Sequence, residues 1–573
     1  MRTTIETCFF CLAVFFGAAV NAQTEIRVAL DHEDAMYKCG EQAVFTVTVM
    51  NGEQLHREGK ASIRLSNDGL ATFMTREVDL ADENPFTVED TMVAPGVLSL
   101  DVNVAAQPKA LHKVFGAAFE PFLITPGAPA PEDFMQFWTG EKRKLERDDT
   151  EEHRAQSIVK LMPLPRLSND KVEGFKVSFW NGTGTIYGFL TVPRAPGKFP
   201  ALVSVPGAGP GATGASMLED FVCLVMNVHK YDPDMPDKSL GESYKELNEG
   251  GMYMYKDIPD REKTYFHHGV LGIDRAVTWL ASHEKVEREC IGYYGSSQGG
   301  AFGLILGGLN PSICAVVCNV PAMCDQLGHR QGRLAGWPQF CRQMEYSPEI
   351  ESMAQYYDAV NFAERIPSRV PVRIIVGLAD RTCSPSSVFA AYNRIKSIDK
   401  KIICEVGMGH KTPPSYNTEV EWLKQYLKKR LKNIQKGKSI LEHVKSSDGY
   451  GGTAGCVKKL KIFSFGVFLF AMDHGDVMPG EDSWQEDLAA YCGLEDCNCQ
   501  DCGRPYHYVR QATGLSKIKD PVRTVMFYED LENHDGVVNI AFADGHVSGY
   551  QVVGCKTIEE LAAKYGLLLG DGE

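Results

Sequence analysis

A serine among glycines, an aspartate and a histidine, each just after an apolar run, are the residues of this chain that could do chemistry. Ile291-Gly292-Tyr293-Tyr294-Gly295-Ser296-Ser297-Gln298-Gly299-Gly300 reads as an apolar strand entering G-x-S-x-G, with an apolar helix to follow over residues 301–309. The spacing selects Ser297 over Ser296, and the glycines permit a tight strand-to-helix turn that lifts the hydroxyl clear of a sheet. A serine hydroxyl is a weak nucleophile until a base takes its proton and an acid orients that base. Asp380 follows the apolar run 372–378, and His410 follows the run 401–406. Asp380 lies 83 residues after Ser297 and His410 lies 30 after Asp380, so the chain order is nucleophile, acid, base. Asp325 and Asp358 are alternative acids, but their settings suit loop or helix packing better.

Acyl transfer also needs donors for the oxyanion. The backbone N–H of Gln298 is the first, because it follows the nucleophile. The second should come from the loop Val205-Pro206-Gly207-Ala208-Gly209-Pro210-Gly211, with Ala208 N–H as the candidate and Gly207 N–H as the fallback. Such chemistry needs no metal and no cofactor.

These groups need a rigid sheet behind them. Residues 131–435 alternate β-rich and helical patterns, which predicts a mostly parallel sheet wrapped by helices. Ala201-Leu202-Val203-Ser204-Val205 and Arg373-Ile374-Ile375-Val376-Gly377 have the near-continuous apolar character of buried parallel strands. The block closes on a helix from Glu419 to about Lys436 whose Lys424, Lys428, Lys429, Arg430, Lys432 and Lys436 read as a solvated face.

The rest of the chain surrounds that block. With 573 residues, three or four domains are expected at ~150 residues each. Residues 1–22 read as a secretory signal: Arg2, an apolar stretch from about Cys8 to Val20, then Val20-Asn21-Ala22. A secreted or periplasmic enzyme is therefore expected. Residues 23–125 alternate apolar and polar side chains, as in Ala43-Val44-Phe45-Thr46-Val47-Thr48-Val49 and Leu98-Ser99-Leu100-Asp101-Val102-Asn103-Val104. They predict an immunoglobulin-like β-sandwich with no chemistry of its own. Pro126, Pro129 and Pro131 read as a stiff linker at the start of the central domain, 126–436, and the Gly/Ser-rich stretch 437–455 reads as a second linker. A net charge of −15, from 59 basic and 74 acidic residues, argues against nucleic acid as partner. No apolar run approaches the ~20 residues of a membrane span.

The central block resembles the acetylxylan esterases of carbohydrate esterase family seven, which includes cephalosporin deacetylases. The resemblance rests on Pro131-Glu132-Asp133-Phe134-Met135-Gln136-Phe137-Trp138, Gly295-Ser296-Ser297-Gln298-Gly299-Gly300, Val320-Pro321-Ala322-Met323-Cys324-Asp325, Tyr357-Asp358-Ala359-Val360-Asn361-Phe362-Ala363, and Gly377-Leu378-Ala379-Asp380 with Ala390-Ala391-Tyr392-Asn393. It implies an α/β-hydrolase core, Ser297, Asp380 and His410 as nucleophile, acid and base, acetylated carbohydrate as substrate, and no cofactor. A homo-oligomer, as in that family, stays open. This chain has Pro206-Gly207-Ala208 where the family has His-Gly-Tyr, His229-Lys230-Tyr231 near the family's Arg-Gly-Gln, and His410-Lys411 for its His-Glu pair. The pocket, not the triad, is what these departures touch.

Residues 456–573 have another texture. His534 and Asp544-Gly545 match the spacing of the prepilin-type processing-associated H-x9-DG domain, and the segment from Cys456 to Pro479 resembles the junction of a pilin helix and its head. The resemblance implies a small α+β, pilin-head-like domain that contacts a cell surface or pilus. Cys492, Cys497, Cys499 and Cys502 suit disulfides, with Cys456 and Cys555 as partners, or a zinc cluster. His267-His268 could bind a metal but read better as packed side chains. Two alternatives to the esterase remain: another acyl hydrolase or serine peptidase on the same fold, and a surface-associated binding protein with an incidental hydrolase core.

Overall fold

The structure, a computed structural model, describes residues 24–105, 110–147, 159–446, 454–492, 497–499, 503–512, 514–532 and 536–570. The proposed signal segment 1–22 lies outside these residues, as do Cys502 and His534.

Nine strands form the central sheet: β1 (Val159–Pro163), β2 (Val172–Trp180), β3 (Thr185–Pro193), β4 (Phe199–Ser204), β5 (Val222–Met226), β6 (Val286–Ser296), β7 (Ile313–Asn319), β8 (Val372–Gly377) and β9 (Lys400–Glu405). Their order is β1-β2-β3-β5-β4-β6-β7-β8-β9. The first three pair antiparallel, β3 pairs antiparallel with β5, and from β5 onward every pairing is parallel. The apolar runs are continuous because both faces of the sheet are covered. Val203, Val316, Cys318, Ile374 and Val376 join the large core on one face. Leu202, Ala315, Val317 and Ile375 alternate with them and meet Leu423, Tyr426 and Leu427 of the helix Pro414–Ser446 on the other. The fold is α/β-hydrolase, as expected.

Before this sheet, two β-layers enclose their own core. One contains Thr24–Leu30, Ala43–Asn51, Gln54–Leu55 and Phe86–Asp90; the other orders Met36–Tyr37, Leu111–Phe119, Gly96–Val104, Lys60–Asn67 and Ala71–Asp79. Phe45, Val47 and Val49 of the first pack with Ile63, Leu65, Leu98, Leu100 and Val102 of the second.

The helix Pro414–Ser446 is longer than the sequence pattern suggests, so residues 437–446 are helical, not an open linker; 447–453 lie outside the described residues. Beyond it, a sequential antiparallel sheet (Tyr506–Tyr508, Val525–Glu529, Val537–Phe542, Val547–Gln551) carries the helices Ala454–Asp473, Trp484–Cys492 and Ile558–Tyr565. The solvated reading of the basic helix fails at Arg430, which is 6% exposed. Its guanidinium donates to Tyr491 Oη and, at 2.8 Å, to Glu289 O, and lies 3.7 Å from Asp473 Oδ2. Asn433 Nδ2 donates to Asp473 Oδ1 at 2.5 Å. Cys290 and Ile434 share one apolar cluster with Phe463, Phe470 and Leu488. The tail is therefore packed onto the hydrolase body. No described helix is long and apolar enough to cross a membrane.

Candidate active site

Ser297 sits between the end of β6 and the helix Gln298–Leu309, with φ 58° and ψ −122°. A non-glycine residue reaches that conformation only where its surroundings enforce it. The neighbouring glycines show how. A Cβ on Gly295 would lie 2.4 Å from Gly299 O, and one on Gly299 would lie 2.0 Å from Val205 O. The turn is too tight for side chains at either place. Ser296, the neighbour rejected on spacing, is held by Asn319 Nδ2, which donates to its Oγ at 2.8 Å.

The loops after β8 and β9 bring the other two groups to Ser297. His410 Nε2 is 2.9 Å from Ser297 Oγ, and His410 Nδ1 is 2.8 Å from Asp380 Oδ2. Asp380 is 1% exposed. Its second oxygen, Oδ1, accepts the N–H groups of Thr382 at 2.8 Å and Cys383 at 3.0 Å. One carboxylate oxygen thus fixes the turn while the other faces the imidazole. An Oδ2 that can only accept sets the proton on Nδ1, leaving Nε2 free to accept from Ser297. The two alternative acids do other work. Asp325 pairs with Arg333 at 3.1 Å, and Asp358 accepts the N–H groups of Asp325, Gln326 and Val360 at 2.7 to 2.9 Å.

Gln298 opens its helix, so its N–H has no intrahelical acceptor. The loop after β4 runs beside Ser297: a Cβ built on Gly207 would lie 3.8 Å from Ser297 Cβ. Ala208 is the next residue. The Gln298 side chain, fully buried, spans the two elements: Tyr253 Oη donates to its Oε1 at 2.6 Å, and its Nε2 lies 3.5 Å from Pro206 O.

Residues just beyond β5 hold this loop, and sequence reading missed them. His229 Nε2 donates to Gly209 O at 2.8 Å, and Tyr231 Oη donates to Pro210 O at 2.6 Å. A carbonyl only accepts, so His229 carries its proton on Nε2 and its Nδ1 accepts from Tyr265 Oη at 2.8 Å. Burial pushes the His229 ionisation down to about 4. The ring is neutral and walled by Tyr231, Tyr244, Tyr253 and Tyr265. The available signal was positional, since His229-Lys230-Tyr231 lies near the place of the family's Arg-Gly-Gln.

Metal-binding readings lose ground. His267 Nε2 contacts Glu141 at 3.0 Å, and His268 Nε2 donates to Val228 O at 2.9 Å. His329, Cys341 and Glu351 converge, but the Arg330 guanidinium already pairs with Glu351. Asp380, Cys383 and His410 also converge. There, burial holds the Cys383 thiol far above its ordinary ionisation, so it does not compete with Ser297 as a thiolate. In the tail, the Cys456 and Cys499 sulfurs lie 3.2 Å apart, a thiol contact and not a bond.

The acetyl xylan esterase (AXE1) family profile matches residues 124–426. An acetyl esterase, Axe7A of Xylanibacter ruminicola, is 28% identical over 407 residues, covering 70% of this chain and 90% of that protein. Acetyl xylan esterase 1 from Thermoanaerobacterium sp. JW/SL YS485 is similar at 23% identity and a TM-score of 0.44, covering 54% of this chain and 98% of that one. The acetyl xylan esterase from Paenibacillus sp. R4 is similar at 21% identity and a TM-score of 0.43, with 53% and 98% covered.

Proposed function

This chain belongs to the acetyl xylan esterase family and is a carboxylic ester hydrolase that removes acetyl groups; from that premise we propose that Ser297, Asp380 and His410 perform the reaction on acetylated xylan or xylo-oligosaccharides. The observation that carries the roles is the continuous chain of contacts from Asp380 Oδ2 through His410 to Ser297 Oγ. Ser297 Oγ attacks the acetyl carbonyl as His410 Nε2 takes its proton. The oxyanion is received by the N–H groups of Gln298 and Ala208, of which one donor alone is worth ~2.7–4 kcal/mol. His410 then gives its proton to the sugar oxygen, which leaves as an alcohol while the acetyl group stays on Ser297. A water, deprotonated by His410, attacks that ester, and acetate leaves as His410 returns the proton to Ser297 Oγ. Asp380 orients His410 throughout and offsets its charge.

Export to the periplasm or beyond is part of the proposal, supported by Arg2 and the apolar stretch before Ala22. So is the reading of residues 456–573 as an H-x9-DG head in contact with a cell surface or pilus, supported by sequence pattern alone. A peptidase or longer-acyl hydrolase is the competing activity, because a triad does not name its acyl group. The deciding experiment sets acetylated xylo-oligosaccharides against peptides and longer-chain esters, with Ser297→Ala as control. Release of acetate from the oligosaccharides, lost in a folded Ser297→Ala, is expected. Preferential cleavage of peptides or longer acyl esters would overturn the substrate reading.

A further inference from the structure

The strand Gly96–Val104 alternates as a half-wet strand should, yet of its polar residues only Asn103 is exposed. Leu98, Leu100 and Val102 point into the sandwich core, while Ser99 and Asp101, on the opposite face, are 1% and 7% exposed. The loop that carries Asp380 lies against Asp101. Arg381, the next residue, reaches across and donates from Nη2 to Asp101 Oδ2 at 2.8 Å. Arg64 Nη2 holds the same oxygen at 3.1 Å, and His112 Nε2 contacts Asp101 Oδ1 at 3.2 Å.

More of the sandwich meets the catalytic loops nearby. A Cβ on Gly69 would lie 1.9 Å from Arg381 Nη1, so the guanidinium fills the space above the turn Asn67-Asp68-Gly69. Asp68, fully buried, accepts from Ser386 Oγ just past the acid turn. A Cβ on Gly116 would lie 2.0 Å from Leu378 O, two residues before Asp380. On the base side, a Cβ on Gly407 would lie 2.5 Å from Phe115 Cε2. Both loops that carry the acid and the base therefore rest on the sandwich.

Arg381 is only partly satisfied where it lies. Its Nε and Nη1 are buried without hydrogen-bond partners among the described residues, as is Asp68 Oδ1. Unsatisfied buried donors cost free energy, and a buried ion pair is weak evidence for stability. What the arrangement does provide is a fixed location for the residue beside Asp380.

We propose that the N-terminal sandwich positions the catalytic acid, with Arg381, locked between Asp101 and the Asn67–Gly69 turn, as the positioning residue that holds the Asp380 carboxylate toward His410. This rests on the reading of Asp380 and His410 as acid and base. Arg381 acts through Asp380, and Asp101 acts through Arg381 from 280 residues earlier in the chain.

The test uses the full chain with p-nitrophenyl acetate, counting active sites by titration of Ser297 with an organophosphonate. Arg381→Gln and Asp101→Asn are expected to lower kcat per titrated site about 10- to 100-fold with KM unchanged, the scale of a small misplacement of a catalytic group. Arg381→Lys, which keeps the charge, is expected to recover most of that loss. A merely structural contact would lower the melting temperature or the number of titratable sites and leave kcat per site alone, and that result would overturn the proposal. Should Arg381→Gln fail to fold, Asp101→Asn decides by the same measure. Asp380→Asn separates the two layers: a wild-type rate there sinks the triad reading and this proposal together. A loss there, with wild-type rates in Arg381→Gln and Asp101→Asn, sinks this proposal alone.

Discussion

Asp380→Asn replaces one oxygen by an amide nitrogen, and the structure determines which one. Oδ1 accepts two backbone N–H groups, from Thr382 and Cys383, while Oδ2 faces a single ring nitrogen. An asparagine turned with its NH2 toward the backbone would set donors against two donors. It would leave both N–H groups unsatisfied at about 1–3 kcal/mol each. The carbonyl must therefore take the Oδ1 position, and the NH2 must point at His410 Nδ1. That nitrogen then becomes an acceptor, the ring proton moves to Nε2, and Nε2 presents a donor to Ser297 Oγ. A base already carrying a proton at that atom cannot take the serine's. The wrong tautomer in a serine triad costs about 10,000-fold in kcat, which is about 5 kcal/mol at 1.36 kcal/mol per tenfold. The assay is p-nitrophenyl acetate hydrolysis under saturating and limiting substrate, beside circular dichroism and thermal melting. The expected result is a loss of that order in kcat, with KM and fold intact. A folded Asp380→Asn within about tenfold of wild type would refute the reasoning, because the tautomer penalty follows directly from the two N–H bonds.

Further outcomes are expected at His229 and Asp473. His229→Ala frees the Gly209 carbonyl and loosens the loop that carries Ala208, so kcat should fall about 10- to 100-fold with little change in KM, approaching the loss of one oxyanion donor; His229→Gln, which keeps a donor, should lose less. His229 also carries an acid signature. Its ionisation is near 4 in the folded protein against 6.5 ordinarily, so its contribution to stability is complete above about pH 6.5 and is lost as pH falls toward 4. The pH dependence of urea unfolding should therefore be shallower in His229→Gln over that window. Asp473→Ala removes the carboxylate that faces Arg430, which should cost about 3–5 kcal/mol of unfolding free energy, as for a stranded buried charge. Because the cluster joins hydrolase and tail, urea should still unfold both in one transition. Separate melting of the tail would argue against the shared core.

The legible part of this protein was the part whose physics is local. Gly295, Ser297 and Gly299 lie within five residues, and a side chain at Gly295 would strike the backbone of the same turn. Asp380 and His410 were singled out because catalytic loops follow strand ends, and strand ends are visible as the ends of apolar runs. What stayed hidden was decided by contacts between distant segments. Periodicity reports which residues share a face, but it does not report what covers that face. Asp101 alternates with leucines and valines as a solvated residue would, and Arg430 lies in a helix whose lysines are indeed on the surface. Each is buried because another unit of the chain packs there: the Asp380 loop over Asp101, and Asp473 with Tyr491 over Arg430. His229 was hidden for the same reason, its partner being a carbonyl 20 residues earlier. In all three the polar side chain is held by a partner from another segment of the chain, and in two of them the contact leads back to the catalytic turn or the loop beside Ser297. A sandwich with no chemistry of its own thereby becomes part of the esterase, because it supports the turn whose N–H groups fix Asp380 Oδ1.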